Sequence, residues 1–184
     1  MPVIAISGLP ACGNSTVAKL LAKKLKIKYF SAGKYFKAHE PDVKKETAKA
    51  VKLMRTKRGS SMSFHHSIDR LVMGKAKKGN IVIDGKIAVR MLMHNSDLRV
   101  WLTAPFNVRS QRCAKRDRIT LERAKKQLRE KESTERKIFK SVYGLDYFEQ
   151  EKMADIVVDT SVKRPEEIAN LILEKLNKTK IKVL

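Results

Sequence analysis

Residues 3–16 read VIAISGLPACGNST, and what the last nine form sets the architecture of the chain. Val3 to Ile6 form a short, β-branched apolar run that fits a strand and ends before Gly8. From Thr16 onward the period changes: Val17, Leu20, Leu21 and Leu25 recur on one face of a helix. Between strand and helix, Gly8 and Gly13 stand five positions apart and Ser15 and Thr16 follow, which is the spacing of a phosphate-binding loop. The pattern's lysine is absent, and Asn14 occupies its place.

Strand, loop and helix occurring together make this more than a bare pattern match. The reading expects Gly8 and Gly13 to allow backbone angles closed to other residues, so that successive amides turn toward phosphate oxygens. Leu9, Pro10, Ala11 and Cys12 would offer main chain more than side chain, and the helix start adds its positive end. None of these contributions needs the lysine. Ser15 supplies the hydroxyl expected on a magnesium ion (Mg2+), and Thr16 lies near the adjoining phosphate. The blander alternative is a glycine-rich turn that only caps a helix. Cys12 has no histidine near it in sequence, so a catalytic thiol is not expected.

A length of 184 residues suits one compact domain with small excursions. With 42% hydrophobic residues and no apolar run long enough to span a bilayer, a soluble protein is expected, with no membrane partner. The first strand candidate begins at Val3, which leaves no room for a secretory segment ahead of it and predicts a cytoplasmic location. Cys12 and Cys113 have no ligand or disulfide spacing and read as free thiols. The 41 Lys and Arg against 19 Asp and Glu give a formal charge of +22, which attracts nucleotides, RNA or anionic membranes without choosing among them.

KYFS (28–31), IVID (81–84), LRVWL (98–102) and ADIVVDT (154–160) are further strand candidates, and a last helix is expected over 165–177, opened by Pro165. Their near-continuous apolar character suits strands covered on both faces and predicts a three-layer α/β fold with a five-stranded parallel sheet. Two stretches fall outside that alternation. Residues 34–78 hold 13 basic and 4 acidic residues, and residues 109–140 hold 13 and 5; both read as too polar for core and suited to clamping an anionic substrate. Asp84 ends its strand where an acid could hold the magnesium shell through water, although Asp84-Gly85 alone could be a simple turn. His65, His66 and Asp69 read as polar surface, and Trp101, Met91 and Met93 as packing.

These motifs resemble the archaeal-type cytidylate kinases. GLPACGNSTVAKLLAKKL, SAGKYF, IDR, KKGNIVIDGKIA, LTAPFNVRSQRCAKRD, REKESTERKIFKSVYGLD and ADIVVDTS follow one another in that family's order, over nearly the whole chain. The resemblance implies a single P-loop NTPase kinase domain spanning 1–184. It would carry an NMP-binding excursion at about 34–78 and a lid at about 116–145. It implies ATP binding by Gly8 to Thr16, and acceptor binding by Ser31, Lys37, Asp69, Arg70 and Lys86. Arg129 and Arg136 would be the catalytic lid arginines. Seven residues apart on a helix, they share a face, where Glu132 could equally partner Arg136 on a solvated surface. Asn14, Lys34, Lys37, Lys86 and Val89 depart from the family's pattern, and lysine lacks the bidentate fork of arginine.

The implied activity is transfer of the ATP γ-phosphoryl group to CMP or dCMP, with magnesium as cofactor and a monomer as the expected state. Two alternatives stay open from the sequence. One is a phosphotransferase of this fold with a different acceptor. The other is a catalytically weakened nucleotide- or RNA-binding relative, suggested by Asn14 and the basic surface.

Overall fold

The computed structural model describes residues 2–38 and 46–181, so the part of the 34–78 stretch at 39–45 lies outside the described residues. Five parallel strands form one sheet in the order β2-β3-β1-β4-β5. They are β1 (Val3–Gly8), β2 (Lys28–Ser31), β3 (Ile81–Asp84), β4 (Leu98–Thr103) and β5 (Ile156–Asp159). The central strand pairs Ile4 with Val82 on one side and with Leu98 on the other. Parallel neighbours cannot be joined by a tight turn, so each connection crosses a face of the sheet and brings a helix with it.

One face is covered by α1 (Asn14–Leu25) and α9 (Pro165–Ile181). Ile4, Ile6, Val82, Val100 and Leu102 meet Val17, Leu21, Ile168, Ile172 and Leu176 there. Ala5, Ile83 and Trp101 point to the other face, where Phe64, Val72, Leu92, Phe139 and Tyr147 cover them. β1 is buried throughout, as a central strand with helices on both sides must be. β5 departs from the expected burial: Val157 is 44% exposed and only Val158 is buried. An edge strand has one neighbour, and α9 covers it from one side.

The first polar stretch contains α2 (Ala32–Lys37), α3 (Glu46–Met54), α4 (Lys57–Ser60) and α5 (Met62–Lys77); α6 (Ala88–Met91) follows β3. The second contains α7 (Phe106–Asp117) and α8 (Leu121–Tyr143), with a short 3₁₀ segment at Tyr147–Met153 before β5. The expectation that both are too polar for core is overturned. Leu53, Met54, Phe64 and Val72 from the first and Ala124, Leu128 and Phe139 from the second are buried. Net charge misleads here because an amphipathic helix sorts its lysines to one face and its apolar residues to the other. α3 packs on α8, and the Arg55–Glu130 ion pair at 2.6 Å joins them at the surface. Thr47 of α3 also bonds to Arg116 of α7, at 2.6 Å.

Trp101 is fully buried, as expected of packing. Met91 packs at the edge of the core, whereas Met93 is 39% exposed. Cys12 and Cys113 are buried free thiols. Among the described residues, no helix is long and apolar enough to cross a membrane.

Candidate active site

The loop after β1 is held from behind. Lys86, two residues past β3, donates its ammonium to the Gly8 carbonyl at 3.1 Å. Arg109 of α7 reaches the Pro10 carbonyl at 3.3 Å, and Thr160, just past β5, donates its hydroxyl to the Cys12 carbonyl at 3.0 Å. Arg109 is buried, rests on the Ala104 carbonyl at 2.9 Å and pairs with Glu132 of α8. Arg112 in turn donates to Thr160 Oγ1 at 2.8 Å. With these carbonyls tied outward, none of the described residues accepts from the amides of Gly13, Asn14, Ser15 or Thr16. No side chain caps the start of α1 either. Free amides at a helix N-terminus form a binding site for an anion.

The glycines act differently from one another. Gly13 takes φ 92°, and Ala11, not Gly8, is the other left-handed residue at 65°. Gly8 is needed for closeness: a Cβ on it would lie 2.3 Å from the Leu102 carbonyl oxygen and 2.7 Å from Asn14 Oδ1. Asn14 is therefore folded back against Gly8, and its buried Oδ1 has no hydrogen-bond partner among the described residues. Burial raises the Cys12 thiol to about 11, which keeps it protonated and inert.

Asp84 gathers three hydroxyls on one carboxylate oxygen: Ser15 at 2.5 Å, Ser31 at 3.0 Å and Tyr29 at 3.3 Å. Its position is fixed through Gly85, whose amide donates to Ile6 at 3.0 Å and whose carbonyl accepts from the Ser7 hydroxyl at 2.7 Å. The pair Ser15–Asp84 offers hard oxygens, the donor type that suits magnesium. Among the described residues no three His, Cys, Asp or Glu side chains gather at a metal position, so a cation beside this pair would draw further oxygens from phosphate and water.

A cleft of about 670 Å³ runs from the loop along the C-terminal edge of the sheet. Asn14, Ser15, Thr16, Arg112 and Lys163 line one end, and Phe36, Ile68, Val72, Met91 and Phe139 the other. At the apolar end Tyr143 donates to both Asp69 oxygens, at 2.9 and 3.1 Å, and burial pushes the Asp69 carboxyl up. Lys86, Arg116, Lys131 and Glu135 line the cleft as well. Burial pushes Lys131 down to about 8; Glu135 opposes this, and the charges of Lys86, Lys37 and Arg116 reinforce it. Burial alone would raise the Asp117 carboxyl, but the Arg116 guanidinium overrides it and holds it at about 2.

A strand-loop-helix with free amides, facing a half-apolar, half-basic cleft, is the arrangement of a nucleotide kinase, and residues 3–162 match the sequence model of the Cytidylate kinase-like family. The chain belongs to this family. It is 32% identical to the cytidylate kinase of Methanocaldococcus jannaschii over 97% of this chain and 99% of that protein. It is 36% identical to the Sulfolobus acidocaldarius cytidylate kinase over 92% and 91% of the two chains. Among solved structures, an uncharacterized protein from Eubacterium ventriosum superimposes with a TM-score of 0.70 at 15% identity, covering 96% of this chain and 99% of that one. A shikimate kinase from Acinetobacter baumannii, in complex with shikimate, gives 0.65 at 18%, covering 98% and 95%. At such identities the likeness concerns the fold alone.

The residues expected of this cytidylate kinase-like chain are not all brought together. Pro10 to Thr16, Ser31, Lys37, Asp69, Asp84 and Lys86 line the cleft, and Gly8 and Leu9 are not part of the lining. Arg70 is exposed and outside the lining. Arg129 and Arg136 stand outside it too. Arg129 lies over the Phe106 ring at 5.2 Å, while Arg136 pairs with Asp146 over the Phe148 ring. The row of α8 that meets the cleft is Lys131, Glu135, Phe139 and Tyr143, spaced by four, and the two arginines belong to other faces. Arg112 and Arg116, also four apart, went unnoticed in the sequence although their spacing on a helix after β4 was a usable signal. His65, expected at the surface, is buried against Phe36 and Phe139; its Nε2 donates to the Gly59 carbonyl at 2.9 Å, and burial holds its pKa down.

Proposed function

We infer that this chain is a cytidylate kinase, transferring the γ-phosphoryl group of ATP to CMP or dCMP to give ADP and CDP or dCDP. The observation that carries the reading is the loop whose carbonyls are tied back by Lys86, Arg109 and Thr160, leaving amides open to a basic cleft. An oxygen of the acceptor phosphate attacks the γ-phosphorus, the bond to the β,γ-bridging oxygen breaks, and ADP leaves with that electron pair. Little covalent help is needed, so alignment and neutralisation of the transferring oxygens supply most of the rate.

In this reading the amides of Gly13 to Thr16 hold the donor phosphates, while Ser31, Lys37 and Asp69 serve the acceptor. Ser15 and, through water, Asp84 would hold magnesium, which supplies charge neutralisation across the donor phosphates when bound. Residues 34–78 act as the acceptor-binding excursion and 116–145 as the lid, within one cytoplasmic monomer. Arg112, Arg116 and Lys131 line the cleft and would serve the transferring group, and Arg136 joins them only when its pairing with Asp146 opens. Arg116→Ala is expected to lower kcat by about two decades. Arg136→Ala measured alongside separates the two sets: a loss under tenfold would remove Arg136 from the chemistry.

Lys131 adds a pH dependence. Its pKa falls from 10.5 to about 8 on folding, so between those values the unfolded chain holds a proton the folded chain lacks, and stability rises with pH. Below about pH 8 the cost of the buried charge is fully present, and a bound phosphate relieves it. Nucleotide binding at pH 8 is therefore expected to take up a proton, read by calorimetry in buffers of different ionisation heat and lost in Lys131→Met. Equal uptake in the variant would take Lys131 out of phosphate contact.

The function is tested by ADP release from ATP and magnesium with CMP, dCMP, UMP and AMP in turn. Turnover with CMP and dCMP is expected. No turnover with any monophosphate, together with salt-sensitive RNA retention, would favour a binding role through the +22 surface instead.

A further inference from the structure

The missing lysine leaves a question of charge: what meets the donor's phosphate tail at the mouth of the loop? We propose that Lys86, reaching in from the end of β3, supplies the ammonium that Asn14 does not, and so serves the donor rather than the acceptor. The proposal rests on the ATP-dependent reading of the site.

The geometry favours it from both residues. Lys86 Nζ sits on the carbonyl of the loop's first glycine at 3.1 Å and on Glu135 Oε2 at 3.3 Å. An ammonium has three protons, so one is left for a ligand in the cleft that Lys86 lines. The side chain is 18% exposed, and the residue is held at its backbone carbonyl and at Nζ. Gln150 Nε2 donates to the Lys86 carbonyl at 3.0 Å, the Tyr147 ring lies 5.0 Å from Nζ, and Tyr147 donates to Glu135 at 2.9 Å. This is a preorganised cation rather than a mobile surface lysine, and its ordering is complete before ligand arrives. Asn14, by contrast, is turned in against Gly8. A lysine at position 14 would have to run past Gly8 and bring a second ammonium beside that of Lys86, and the two would repel.

The two positions should therefore be coupled. Calorimetric titration with magnesium and a non-hydrolysable ATP analogue, and separately with CMP, is made on Lys86→Met, Asn14→Lys and the double variant, with turnover of each. Lys86→Met is expected to weaken analogue binding at least tenfold while CMP binding shifts less than threefold. Asn14→Lys alone is expected to lower kcat/KM for ATP severalfold, yet in the Lys86→Met background to restore it at least tenfold. Weakened CMP binding with unchanged analogue binding in Lys86→Met, or no rescue by Asn14→Lys, would overturn the proposal. Thermal unfolding accompanies each variant; should loss of the Lys86–Glu135 ion pair unfold Lys86→Met, the same titrations on Lys86→Met with Glu135→Gln decide it. If the unaltered protein released no ADP with any monophosphate, the kinase reading would fall, while the analogue titrations would still report on Lys86.

Discussion

Gly8→Ala is expected to reduce kcat/KM more than 100-fold, a loss of the size that a displacement of about 1 Å in a positioning element produces. The reason is local and steric. The new methyl would stand 2.3 Å from the Leu102 carbonyl oxygen, which also accepts the Leu9 amide at 3.2 Å, and 2.7 Å from Asn14 Oδ1. Neither the carbonyl of the paired strand nor the buried amide can yield without moving the loop. Overpacking against backbone costs about 1–3 kcal/mol, so a lower Tm should accompany the loss. Gly13 has open space around it, and its substitution acts through its φ of 92° instead. Gly8→Ala retaining a tenth of the activity would refute the close-approach account.

Asp84→Asn should spare the fold and still lower kcat by about 10²–10³. The amide has nearly the same shape, but the oxygen that now receives Ser15, Ser31 and Tyr29 loses its charge. Three hydroxyls aimed at one oxygen would then be shared by a weaker acceptor, and the hard anionic donor beside Ser15 would be gone. The measurement is kcat as a function of magnesium concentration, with thermal unfolding alongside. A rightward shift in the magnesium curve with Tm within a few degrees is expected; turnover within threefold of the unaltered protein at every concentration would mean that Asp84 only shapes a turn.

How much of this could be read in advance follows from how local each feature is. The strand at 81–84, the strand and helix on either side of the loop, and the start of the last helix at Pro165 lie within one short run of sequence each, and these elements are present in the structure. The core role of α8 was hidden because charges outnumber apolar residues along it, and that of α3 because it lies in a stretch, 34–78, whose overall charge is strongly basic. Only the pitch of the helix separates Leu53 and Phe139 from their lysine neighbours. The cations of the cleft were harder still. Arg129 and Arg136 matched a pattern of family residues, but which side of α8 faces inward depends on how that helix lies on α3, and the inward row carries Lys131 and Glu135. The bond from Thr160 to Cys12 joins residues 148 positions apart, and no spacing rule reaches that far.

The rear fastening of the loop also bears on what substitution this site can absorb. Its outline is set by a lysine just past β3, an arginine of α7 and a threonine just past β5. The curve that receives the anion is thus moulded from outside by the scaffold, much as a cast is held by its frame. Side chains within the curve are then released from the duty of shaping it, and an asparagine can stand at position 14 without the cradle collapsing.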